Sequence, residues 1–295
     1  MQISETALVT SKPLFVKFVE CMRIIKDYHF QVFTKNPEKT LYSETLRVLN
    51  QFQQDRTQAA YCLIVNGLVW DAEVIIRVVY ETFAKVAFLA TASEEQRPEL
   101  LHEYWELLGA VYDRQAALKA EPCERLFNCS GSDGSSRVMA TLRDNRVYRT
   151  DPLGDKRFRK RLEQRWSFSG ILEALNSGRH GIIPLIGIEV FAHNYSMSSH
   201  VAHANSRALD LLEDRATRGS DLVPLEMGHI CRMLSDMVSL TSFSLFLSER
   251  SWAGGEKMPA PLAAAVTAMT ETIKPFHTEF EISQEGLYSN WPRKE

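Results

Sequence analysis

An all-α fold, a single bundle of about seven to nine helices, is what this sequence predicts. Apolar residues recur at helical spacing along almost the whole chain, and no run alternates with period two between hairpin turns. The stretch VWDAEVIIRVVYETFAKVAFLATA is apolar enough to be the centre of a bundle. The 295 residues, 45% apolar and 24% charged, suffice for a large core and exclude disordered, collagen-like and disulfide-scaffold classes.

Taken in order, Ser11 and Pro13 mark a helix start, because proline presets φ in a first turn where no N–H is needed; Phe15, Phe18, Val19, Met22 and Ile25 follow toward Phe30. A second helix runs from about Leu41 to Asn66, and Gly67 breaks it. The apolar central helix follows, ending near Ser93. Ser93 then caps a fourth helix through Leu101, Tyr104, Leu108 and Tyr112, with Gln96 completing a capping box and Glu94 and Glu95 favouring its N-terminal dipole. The segment EPCERLFNCSGSDGSS lacks apolar periodicity and mixes turn formers, so Cys123 to Ser136 is read as a long loop. Patterning resumes at Ile171 to Leu175, pauses at NSGRHG, restarts after Pro184, and continues in helices from Pro224 to about Glu249 and beyond Pro261. No repeat or long linker divides the chain, so residues 1–295 are expected to form one domain in which 121–165 are a loop-rich, basic insertion.

Five cysteines without a CxxC pair fit a reducing cytoplasm rather than a disulfide framework or a thiolate metal site. The N-terminus has no basic region leading into an apolar one, and charge-free stretches such as Met237 to Ser248 are too short to span a bilayer, so no membrane association is expected. The net charge of −3 neither requires nor forbids nucleic-acid binding. The C-terminal helices, rich in Leu, Met and Phe, leave apolar surface for a homodimer.

Two lines of polar residues stand out. Glu73, Arg77 and Glu81 are spaced four apart and stack along one face of the central helix. Tyr195, Ser199 and His203 repeat that spacing, aligning a phenol, a hydroxyl and an imidazole. A solvated charge stripe and a set of core hydrogen bonds explain such lines as well as a catalytic cleft does, and both readings stand. The runs AEVIIRVVYETFAKVAFLA and YSMSSHVAHANSRAL resemble a bacterial helical family catalogued as a domain of unknown function, with an RxxxE helix and a later YSxxSxxxH helix. The resemblance covers about Leu63 to Leu209 and implies that Arg77, Glu81, Tyr195, Ser199 and His203 converge across two packed helices. It implies no particular reaction. More loosely the chain is similar to the HEPN superfamily of helical bundles, many of them metal-independent ribonucleases of toxin or phage-defence systems, whose Arg-to-His spacing occurs at Arg97–His102 and Arg23–His29.

Between Arg143 and Arg165 nine basic residues face four acids, a local charge of +5, which makes Lys156, Arg157, Arg159, Lys160 and Arg161 candidates for holding a nucleic-acid backbone, with Phe158, Trp166 and Phe168 near enough to stack on bases. A soluble charged face is the plainer account. Glu99–His102 and Glu226–His229, taken with Glu81 and Glu189, imitate the ligand order of a di-metal carboxylate bundle; both pairs lie beside a proline near a helix start, which argues against it, and no metal or cofactor is expected. The function these features point to is an effector of a bacterial defence or toxin system acting on RNA or a nucleotide phosphoester. The alternative is a non-catalytic binding or sensor protein in which Arg77, Glu81, Tyr195, Ser199 and His203 form a buried polar network.

Overall fold

The computed structural model of the chain describes residues 2–35, 39–129, 133–144, 153–178, 182–185, 187–203, 205–219 and 222–289. The described residues are all-α, with one isolated bridge between Ala92 and Ile182. The helices are α1 (Glu5–Thr10), α2 (Lys12–Lys35), α3 (Leu41–Val65), α4 (Val69–Ala90), α5 (Arg97–His102), α6 (Leu108–Cys129), α7 (Asp133–Asp144), α8 (Lys156–Arg165), α9 (Phe168–Ser177), α10 (Glu189–Ala202), α11 (Ser206–Thr217), α12 (Leu222–Ala253) and α13 (Ala260–Ser289), more than the seven to nine expected. A π-helical turn, Glu103–Leu107, joins α5 to α6. The chain divides into two compact units, one of residues 1–91 and 185–295 and the other of 92–184.

In the first unit, α4 is the centre: α3, α10 and α12 all pack on it. Ile76, Val79, Tyr80, Phe83 and Phe88 are fully or almost fully buried, each worth about 1.5–3 kcal/mol of transfer free energy. A reciprocal Thr40–Ser43 capping box starts α3. Gly67 separates α3 from α4 at φ +77°, a conformation that glycine adopts without strain, and its carbonyl accepts the Ile3 N–H at 3.1 Å. α12 is long and apolar enough to cross a membrane by length and composition, yet two-thirds of its most apolar window is buried here among neighbouring helices. Ser11, read as the start of a helix, instead ends α1: its N–H and hydroxyl both bond to the Ala7 carbonyl, while its own carbonyl accepts from Phe15 in α2.

The second unit has its own core of Leu100, Val111, Leu162, Trp166, Ile171 and Leu175. Its organising polar group is Glu103, 9% exposed, whose carboxylate accepts from Arg165 at 2.7 Å and from the Trp166 indole at 2.8 Å. Ser93 does not cap the fourth helix. Its carbonyl accepts from Gln96 and Arg97 in a turn, and α5 begins at Arg97, with Pro98 in its first turn. The expected loop over Cys123 to Ser136 is also corrected, since α6 continues through Pro122 to Cys129 and α7 begins at Asp133, residues 130–132 lying outside the described residues. Pairing overrides composition there: Arg143 reaches Glu124 at 2.6 Å and the Ser136 hydroxyl donates to Asn128 at 2.5 Å, both across the α6–α7 pair.

His29 on α2 is 8% exposed, with Nε2 unpartnered and its ring set edge-on against Phe33 at 4.9 Å. Burial pulls its pKa down to about 4, with smaller opposing effects of Arg47 and Asp55. The unfolded chain, whose histidines titrate near 6.5, therefore binds this proton first. Stability is complete above pH 6.5 and falls as the pH drops from 6.5 toward 4, by up to about 1.4 kcal/mol per pH unit for one such group. Denaturant titrations at several pH values should show a shallower fall for His29→Leu than for the parent; equal slopes would contradict the assignment.

Candidate functional site

Along α4 the residues Glu73, Arg77 and Glu81 step outward: their side chains are 1%, 23% and 33% exposed. The i, i+4 spacing puts them on one line, and the slight angle of that line to the bundle surface takes it from core to solvent. Each finds partners on α10, and Glu73 also on α12.

At the outer end Arg77 Nε donates to Glu81 Oε1 at 3.1 Å, and the Tyr195 hydroxyl donates to the same oxygen at 3.0 Å. The Arg77 guanidinium lies over the Tyr195 ring, 5.3 Å from its centroid, a cation–π contact. Arg77 Nη1 meets His203 Nε2 at 2.8 Å. Arginine has no acceptor, so in this arrangement Nε2 is the acceptor and the imidazole proton sits on Nδ1. Burial and the neighbouring Glu81 carboxylate raise the Tyr195 pKa, Arg77 acting the other way, so the phenol is a proton donor at neutral pH. His203 is exposed at the C-terminal end of α10, held by its N–H to the Ser199 carbonyl at 3.2 Å. Four of the five predicted side chains are thus brought together; Ser199 is half-buried and takes part through its carbonyl.

The inner end was not anticipated. Glu73 accepts from Arg232 of α12 and from the Ser198 hydroxyl of α10 at 2.5 Å. Arg232 continues to Asp236 Oδ2 at 3.2 Å, and Asp236 accepts as well from the Tyr80 hydroxyl and from Asn194 Nδ2 at 3.2 Å. Burial pushes the Asp236 carboxyl up, against the pull of Arg232, Tyr80 and Asn194, and it pushes the Tyr80 phenol up strongly. His229 Nε2 sits 3.0 Å from Glu73 Oε1 but off the line of a hydrogen bond, and burial, with the charge of Arg215, holds its pKa near 4; it is neutral. The sequence does carry a signal for this cluster: Arg232 and Asp236 are an i, i+4 ion pair in a helix otherwise poor in charge. The hydroxyl that reaches an α4 carboxylate is Ser198, one position before the predicted Ser199 and about 100° around the helix.

In the second unit Lys156, Arg157, Lys160 and Arg161 are exposed on α8, whereas Arg159 folds back to donate to the carbonyls of Leu153 and Gly154. Trp166 is buried and Tyr104 lies 5.2 Å from its ring, so it is not available to stack on a base. Arg146 and Arg149 lie outside the described residues.

No group of three His, Cys, Asp or Glu side chains placed to hold a metal ion occurs among the described residues. The parts of the di-metal pattern have other contacts: Glu226 accepts from Ser4, His229 faces Glu73 beside the Trp70 ring, and His102 pairs with Glu106. Of the two HEPN-like spacings, Arg23–His29 pairs an exposed arginine with the buried His29.

Glu73 is 1% exposed and Glu81 33%, so their stability effects should differ. Glu73→Gln leaves Arg232 with Asp236 as its remaining carboxylate and is expected to cost about 3 kcal/mol, while Glu81→Gln should cost under about 1 kcal/mol. Urea denaturation of both variants checks this, and equal losses would mean that the inner cluster does not hold the fold. No protein-family model, curated protein or solved structure matches the chain significantly, so the site is read from its own geometry.

Proposed function

We propose that this protein acts on the phosphoester bonds of RNA or of nucleotides, as an effector of the bacterial defence or toxin kind. The observation that supports this most is the contact of Arg77 with His203, a fixed cation and a titratable imidazole touching at 2.8 Å on the solvent side of α10. Phosphoester cleavage needs such a pair: a cation for the charge that develops on phosphate and a group able to take and return a proton. A phosphate arriving at Arg77 competes for the Nη1 donor and frees the His203 Nε2 lone pair. Nε2 then accepts the proton of the ribose 2′-hydroxyl, the 2′-oxygen bonds to phosphorus, and the 5′-oxygen leaves, taking a proton from the imidazolium. Tyr195, a neutral phenol, orients the phosphate, and Glu81 holds Arg77 by its Nε so that the rest of the fork faces outward. In the other unit, the exposed Lys156, Arg157, Lys160 and Arg161 are on their own a sequence-independent attraction for a nucleic-acid backbone.

A second reading is favoured by Glu81, which accepts from both Arg77 and Tyr195 and so completes an internally paired network. On that reading the protein binds or senses a ligand without catalysis and the same residues fix α10 on α4.

Incubation of the purified protein with total cellular RNA in metal-free buffer containing chelator separates the two. Cleavage by the parent that falls at least about 100-fold in Arg77→Ala and in His203→Ala, with both variants still folded, supports the phosphoester reading. Inert parent and variants, the variants melting earlier than the parent, would overturn it in favour of the binding protein.

A further inference from the structure

Within the second unit, α6 and α8 enclose a cavity of about 170 Å³. Lys156, Arg159, Lys160 and Glu163, spaced three and four apart on one face of α8, form one wall, and Arg114 and Gln115 of α6 face them. Four cations thus line one small space against a single carboxylate, and that carboxylate, Glu163, already accepts from Gln115 Nε2 at 2.7 Å. Lys156, Arg159 and Lys160 form no ion pair with any described residue. Asp155, the nearest acid in sequence, is turned to the α8 backbone, where it accepts the Arg157 N–H at 2.8 Å. Like charges at i, i+3 and i+4 repel, and a multivalent anion between them reverses the sign of that effect. Arg159 is also placed in advance. Its Nη1 donates to the carbonyls of Leu153 and Gly154, the latter at 2.9 Å, which fixes the guanidinium while Nε and Nη2 stay unpartnered and open to solvent. A guanidinium held by backbone carbonyls and not neutralised by an acid is a preorganised half of an anion site.

We propose that this cavity binds a phosphate dianion, either inorganic phosphate or the terminal phosphate of a monoester. Near neutral pH a phosphomonoester carries a charge of about −1.5 to −2 on three acceptor oxygens, enough to meet Arg159 and both lysines at once. A carboxylate brings one charge and two oxygens. The volume equals that of about six waters at ~30 Å³ each, room for one phosphate group, so the sugar and base of a nucleotide would extend beyond the rim. An internal phosphodiester of RNA carries a single charge, which separates this site from the diffuse attraction of a nucleic-acid backbone to α8. The inference does not rest on phosphoester cleavage: a protein that leaves RNA intact can hold phosphate here, and Arg77 and His203 belong to the other unit.

Isothermal titration of the full chain at fixed ionic strength with inorganic phosphate, adenosine monophosphate and adenosine tests it. The anions should bind one-to-one and compete while adenosine does not bind, and the tighter of the two identifies the free ion or the monoester as the source. Lys156→Gln/Lys160→Gln should weaken that binding at least tenfold and remove the rise in melting temperature that the anion gives the parent; glutamine suits exposed helix positions, so the fold persists. Lys119→Gln/Arg137→Gln, which removes two exposed charges from α6 and α7 instead, should leave the affinity within twofold. Failure of both anions to bind at millimolar concentration, an equal loss in the two double variants, or adenosine binding as tightly as its monophosphate would each overturn the assignment.

Discussion

A carboxylate buried to 1% exposure cannot be left alone, and Glu73 is that carboxylate. Its charge requires a cation, which α12 supplies as Arg232, and a further donor, which α10 supplies as Ser198. Arg232 in turn pairs with Asp236, and Asp236 draws in Tyr80 and Asn194. Three helices are thereby fixed in one register by a chain of charge-assisted hydrogen bonds that tolerates no slip, because a one-residue shift of α10 would turn Asn194 and Ser198 away from both acids.

The outer residues follow from that register. With Ser198 on Glu73, the next turns of α10 carry Tyr195 to Glu81 and His203 to Arg77. The α10 attachment has an apolar share as well, with Phe191 5.3 Å from the Phe83 ring. The same four-residue step along α4 thus runs from a buried position at Glu73, where mispairing is costly, to partly exposed ones at Arg77 and Glu81, where it costs little.

Much of this is legible in the sequence because helical spacing is itself geometry. The lines Glu73–Arg77–Glu81 and Tyr195–Ser199–His203 needed only the period of 3.6 to define faces, and the apolar run around them made α4 central. What spacing cannot give is the partner of a face. Ser198 and Ser199 look alike in the sequence, and which of them meets α4 depends on a rotation that Phe191 and Asn194 determine. Arg232 and Asp236 belong to α12, and nothing local shows that their partners lie on α4 and α10. Composition misled at Cys123 to Ser136, where glycine and serine suggested a loop but ion pairing across α6 and α7 sustains helices, and at Trp166, whose indole serves Glu103 in the core rather than a base at the surface.

The most direct test of this account is amide hydrogen exchange across α10 in the parent and in Glu73→Gln. The account predicts that protection over residues 190–202 falls selectively, with α3 and the middle of α12 nearly unchanged, because α10 loses its anchor while the apolar core persists. Unchanged protection of α10, or a uniform loss across the whole unit, would contradict the claim that the Glu73 carboxylate sets its position.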